Sequence, residues 1–270
     1  MESVQTAKLV LVGNGSVGKT SIIQRFQDDG FKKLYKQTVG CDFFEKTMDF
    51  RGKTVKTQIW DIGGQSLSSK NLPNYVLGSS VLFLCYDVTD SQSFGDLVDW
   101  LAMIRRAYDE KNRALETEAE KDAKEAGRTK VKKAKKEKMP EIYCVGNKID
   151  LIEFRRVTER QHNKFVQDEG LKGGFFVSAG SGENVLTVFY QVAARVVGIE
   201  LTAYELEFTK KVLAVAVTKG GGDDEGKMKG SEDIEKEDGE AHEDILNMLK
   251  GGGGGGKGGG CAGGGGCAIT

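Results

Sequence analysis

Between the apolar run Lys8 to Val12 (KLVLV) and the helix-like stretch SIIQRF stands Gly13-Asn14-Gly15-Ser16-Val17-Gly18-Lys19-Thr20, which satisfies G-x-x-x-x-G-K-[ST] in a strand, turn, helix setting. No other segment of the chain limits its folding as much, because such a loop works only where a strand's carboxyl end passes directly into a helix. The glycines let successive backbone N–H groups turn inward around phosphate, and the helix N-terminus adds its partial positive charge. Lys19 is expected to reach β and γ oxygens, and Thr20 to offer a hydroxyl to Mg²⁺. Gly13, Gly15, Ser16, Val17, Gly18, Lys19, Thr20 and Ser21 are therefore the expected contacts with the phosphates and the metal.

The rest of the pattern agrees with an α/β chain. Residues 41 to 60 hold two strand-like stretches, CDFFEKTMDF and TVKTQIW, split by Arg51-Gly52-Lys53, which predicts an antiparallel pair. Val81 to Tyr86 and Ile142 to Val145 are continuous apolar runs, as in strands of a parallel sheet covered on both faces. Phe175 to Ser178 reads as a last strand before a helix near Glu183 to Val197. Thr158 with Gln161 has capping-box spacing at the start of another helix. The expected architecture is a six-stranded, mostly parallel sheet with one antiparallel edge and helices on both faces.

Two further segments fall at strand ends, where ligands bind in open α/β sheets. In Trp60-Asp61-Ile62-Gly63-Gly64-Gln65, Asp61 suits a role facing the metal, Gly64 a main-chain N–H near a γ-phosphate, and Gln65 the orientation of an attacking water. In Asn147-Lys148-Ile149-Asp150, the Asp150 carboxylate suits guanine, whose N1–H and exocyclic amine are paired donors that adenine lacks. Each tetrapeptide alone is a common turn. Three such sites in one order are much harder to assign to turns.

On these motifs, with Tyr35-Lys-Gln-Thr38-Val-Gly40 and Tyr86-Asp-Val-Thr-Asp90 in the same order, the chain resembles the small Ras-type GTPases, a branch of the P-loop NTPases. Within them it is most similar to the Rab branch and its divergent Rab twenty-eight group, over roughly residues 7 to 198. The resemblance implies a small G domain that binds GTP and GDP with Mg²⁺ and acts as a GTP-hydrolysing switch in vesicle traffic. It implies that Thr38 joins Thr20 and Asp61 around the metal and that Phe31 packs on the base. It also implies that Tyr35 contacts the nucleotide, that Ser178 and Ala179 meet the guanine O6 through backbone N–H groups, and that Gln65 is the hydrolytic glutamine. Exchange factors, GTPase-activating proteins and effectors are the implied partners of a monomer. Two departures stand out: Ser66-Leu67 replaces the usual acidic-basic pair, and Gly180 stands where the family places lysine, which predicts somewhat weaker nucleotide affinity. The competing readings are a guanine-nucleotide-binding interaction module without turnover and an adenine-nucleotide kinase, the latter opposed by Asp150.

Composition adds limits. Lysine plus arginine number 39 against 40 acids, so no whole-chain field argues for nucleic acid. Residues 1–200 are expected to form the domain, with a charged insertion over about 109–138 that either extends the preceding helix or floats as a loop. Residues 201–217 form an extension, and 218–270 an acidic and glycine-rich tail too poor in apolar surface to order itself. The tail ends in Cys267-Ala-Ile-Thr270, a C-a-a-X signal for prenylation of Cys267. This predicts a lipid anchor on the cytoplasmic face of intracellular or plasma membranes, with a cytosolic pool. The cysteine spacing suits a reduced compartment, and the N-terminus lacks a signal-peptide core. His162 and His242 receive no chemistry, and Phe43, Phe44, Trp60 and Trp100 are expected in the core.

Overall fold

The run Val81–Asp87 is buried at every position in the computed structural model, which describes residues 4–28, 37–68, 70–125 and 134–207. It is the fourth of six strands: β1 (Gln5–Val12), β2 (Cys41–Phe50), β3 (Lys53–Ile62), β4 (Val81–Asp87), β5 (Glu141–Asn147) and β6 (Gly173–Phe176). Their order is β2-β3-β1-β4-β5-β6, with β2 antiparallel to β3 and every other pairing parallel. The expected architecture therefore holds. The β2–β3 connection is tighter than the three-residue break predicted from the sequence. Phe50 pairs with Lys53, and only Arg51 and Gly52, at φ 48° and 81°, form the turn, in line with the twist-matched turns that two-residue hairpins favour.

Alternation along the buried strands splits the core in two. Leu9, Leu11, Phe83 and Val145 face α1 (Lys19–Asp28) and α6 (Val185–Val196), where Phe26 and Phe189 stack at 4.1 Å between ring centroids. Val10, Val12, Leu82, Leu84 and Cys144 face the other side, against α2 (Leu72–Val76) and α4 (Leu97–Glu125). Short α3 (Ser91–Gly95) precedes α4, and α5 (Glu159–Asp168) carries the predicted capping box of Thr158 and Gln161. Trp100 and Phe44 meet the core expectation, the latter packed at its margin, and Trp60 is half-buried. Phe43 does not: it is 48% exposed, because β2 is an edge strand and Phe43 lies on its outer end.

The charged insertion resolves as helix over its first part. α4 runs 29 residues, about 43 Å at 1.5 Å per residue. Its buried positions end at Tyr108 apart from Ala123. The chain returns beside it, where Asn112 Nδ2 donates to Glu137 O (3.1 Å) and Glu137 N donates to Asn112 Oδ1 (2.7 Å). After α6 the extension folds back on the hairpin turn, with the Arg51 guanidinium on the Glu205 carboxylate at 2.6 Å. Phe31, Tyr35, His242, Cys267 and the whole of 208–270 lie outside the described residues. Among the described residues no helix is long and apolar enough to cross a membrane.

Candidate functional site

The carboxyl ends of β1, β3 and β5 open on one cavity of about 980 Å³. Gly15, Ser16 and Gly18 line it from the loop between β1 and α1, and Lys19, Thr20 and Ser21 from the first turn of α1. Thr38, Gly64 and Gln65 line it from the segments flanking β2 and β3, and Asn147, Lys148, Asp150 and Ala179 from the far side. Most of the predicted site residues thus meet in one place. Val17 is an exception for its side chain, which is buried in the core, while its carbonyl faces Asn147. Gly13 also sits back from the cavity, pressed against the Cys85 carbonyl. Ser178 is fully buried and donates its hydroxyl to Asp150 Oδ1.

At the phosphate end, Lys19 is 6% exposed and its ammonium donates to the carbonyls of Gly13 and Asn14, both at 2.7 Å. Burial holds its pKa below the ordinary lysine value. Asp61, at the end of β3, is fully buried, and burial pushes its carboxyl above the usual range against the pull of the Thr20 hydroxyl and the Lys19 charge. Its Oδ2 accepts from the Thr20 hydroxyl and from Thr38 Oγ1 at 3.3 Å, and the two hydroxyl oxygens are 3.1 Å apart. Its Oδ1 has no hydrogen-bond partner. Two hydroxyls and a buried carboxylate with an oxygen left over form an all-oxygen donor set, which fits a hard cation such as Mg²⁺.

Gly64 begins the 3₁₀ turn Gly64–Ser68 and meets the phosphate loop so closely that a Cβ there would lie 2.0 Å from Gly15 N. The exposed Gln65 follows it. Gly63, one residue earlier, donates its N–H to Gly40 O at 2.9 Å, and a Cβ on it would lie 2.5 Å from Thr38 O.

At the other end, Asn147 is 1% exposed and bridges two loops: Nδ2 donates to Val17 O (2.8 Å) and Oδ1 accepts from Ala179 N (3.0 Å). Lys148 takes a left-handed φ of 68° and pairs with Asp87 Oδ2 at 2.6 Å. The Ser178 hydroxyl occupies Asp150 Oδ1, and Oδ2 lies beside Gly180.

Sequence reasoning missed three participants. Arg25, from α1, donates to the carbonyls of Ala179 (3.1 Å) and Gly180 (2.7 Å). Asn14 is held by Asp96 Oδ2 (2.6 Å) and by the Trp100 indole N–H (3.0 Å), which ties the phosphate loop to the start of α4. Gly63 packs under residues 38–40 as described. The only sequence signal for Arg25 is a cation set among Ile22, Ile23 and Phe26 on a helix whose other face is apolar.

A family model described as the Ras family matches residues 8–140. The chain is also 35% identical over 201 residues to Ras-related protein Rab-28 of Caenorhabditis elegans, a match covering 74% of this chain and 71% of that relative.

Proposed function

Given that the chain belongs to the Ras family of small GTPases, as a divergent Rab-type member that binds and hydrolyses GTP, we propose that it serves as a switch in intracellular membrane and vesicle traffic. The observation that carries the reading is one cavity with Lys19 and Gln65 at one end and Asn147 and Asp150 at the other. Lys19 and the inward N–H groups of the phosphate loop bind the β- and γ-phosphates, while Asp150 accepts from the two guanine donors. Thr20, Thr38 and Asp61 would hold Mg²⁺, which would neutralise charge on the phosphate oxygens. Gly64 N–H holds a γ-phosphate oxygen, and Gln65 orients a water for in-line attack. Phosphate release removes what holds Thr38 and Gly64, so the segments around them change state, and exchange factors, activating proteins and effectors read or set that state. Prenylation of Cys267 supplies one lipid chain, a reversible anchor that needs a second signal for firm binding.

Single-turnover GTP hydrolysis with and without a cell extract supplying an activator tests the reading. Slow hydrolysis accelerated by extract, and reduced at least about tenfold in Gln65→Leu, is expected. Equal inertness of both proteins with extract present refutes turnover and leaves a binding module. Mass spectrometry of the C-terminus from cells tests the anchor, and an unmodified Cys267 removes it.

A further inference from the structure

Arg25 is 8% exposed, lies on α1 just beyond the phosphate loop, and is not among the residues lining the nucleotide cavity. Its guanidinium is spent on the carbonyls of two consecutive residues, Ala179 (Nε, 3.1 Å) and Gly180 (2.7 Å). In a trans peptide the C=O and the following N–H point to opposite sides. A carbonyl of Ala179 drawn toward α1 therefore sends the Gly180 N–H away from α1, and Gly180 lines the cavity. Asn147 grips the same turn by accepting from Ala179 N (3.0 Å), and is itself anchored to Val17 O (2.8 Å). The recognition turn is thus held at both its N–H and its carbonyls by groups belonging or tied to the loop and helix that bind phosphate. Gly180 has no side chain of its own to steady it.

We propose that Arg25 is a positioning residue for nucleobase recognition, fixing the peptide groups after Ala179 and Gly180 so that a backbone donor meets an oxygen at the six-position of the purine. The inference rests on the guanine-nucleotide reading above and goes beyond it by placing part of base specificity in a helix α1 cation that does not touch the ligand. A planar fork on two carbonyls fixes both peptide planes, whereas an ammonium reaches them as a point charge.

The test uses the full-length protein with GDP and with 2-aminopurine riboside 5′-diphosphate, which keeps the amine but lacks the six-position oxygen and, with it, the N1–H. The lost N1–H contact to Asp150 is common to wild type and variant and drops out of the comparison between them. Wild type is expected to bind GDP about a hundredfold tighter than the analogue. In Arg25→Ala this preference falls by about tenfold, because GDP weakens while the analogue hardly changes, and Arg25→Lys recovers part of it. A merely structural role weakens both ligands equally and leaves the ratio alone, so a ratio within twofold of wild type overturns the inference. If circular dichroism shows that Arg25→Ala does not fold, Arg25→Lys and Arg25→Gln carry the same comparison. A wild type that binds no guanine nucleotide overturns the functional reading and this inference together. A discriminating wild type with an unchanged variant ratio overturns this inference alone.

Discussion

Replacing Gly64 with alanine sets a methyl group against backbone on every side. It would lie 2.0 Å from Gly15 N, 2.4 Å from Asn14 C and 2.5 Å from Gly15 Cα. Ordinary contact begins at 3.4 Å, so the two segments must part by about 1.4 Å, and no rotamer relieves the clash. The phosphate loop cannot be the side that yields. Asn14 is held by Asp96 and Trp100, Val17 by Asn147, and the loop runs directly into α1. The turn Gly64–Ser68, whose Gln65 is exposed, moves instead. A displacement of about 1 Å at a reacting group costs on the order of a hundredfold in rate, or about 2.7 kcal/mol. Gly64→Ala should therefore hydrolyse GTP about a hundredfold more slowly and lose GTP affinity, while GDP, which has no γ-phosphate, stays within about threefold. Single-turnover hydrolysis together with competition of GTP and GDP against a fluorescent nucleotide measures both quantities. The reasoning is refuted by hydrolysis within threefold of wild type, and equally by a loss of GDP affinity as large as the loss of GTP affinity, which would mean the phosphate loop had moved.

Asp150→Asn keeps the oxygen that accepts from Ser178 and turns an amide donor toward the base. GDP should weaken by about ten- to a hundredfold while xanthosine diphosphate, with a carbonyl at position two, gains; competition binding reads the crossover. His162 is buried with Nδ1 3.0 Å from the Tyr86 hydroxyl and Nε2 unpartnered, and burial, with the Arg155 charge second, pulls its pKa from 6.5 down to about 4. The unfolded chain therefore takes up this proton first, so stability is full above pH 6.5 and falls on acidification, by about 2 kcal/mol at pH 5. Thermal melts of His162→Leu should drop less than wild type between pH 7 and pH 5, and equal drops count against the assignment. Replacing residues 114–134 with a short glycine linker should leave GDP affinity within about threefold, because Asn112 and Glu137 still close the stump. A larger loss would show that the outer part of α4 supports the cavity.

The sheet was legible because its strands carry their own signal. Continuous apolar runs as short as Val81 to Tyr86 suit strands buried on both faces better than helices, and three chemically distinct motifs mark three strand ends. The insertion was not legible, since Glu, Lys, Ala and Arg favour helix and solvated loop alike, and it takes contacts such as the Asn112–Glu137 pairing and the Lys136–Glu116 ion pair to show where the chain turns back. Phe43 was misplaced because an edge strand and a central strand read the same until pairing is known. Arg25, Asn14 and Gly63 escaped because their partners are 154 to 155, 82 to 86 and some two dozen residues away in the chain, and a single contact between residues so far apart leaves no periodicity in the local sequence.

The contact of Gly63 with residues 38–40 has a consequence for signalling. Its N–H is bonded to Gly40 and its α-carbon lies under the Thr38 carbonyl, so the stretch before β2 and the stretch after β3 are stitched at a common seam. Either can move away from the other only by breaking the Gly63–Gly40 hydrogen bond. A shift on one side of the cavity is thereby passed to the other, which favours a joint response of the two stretches over two separate ones.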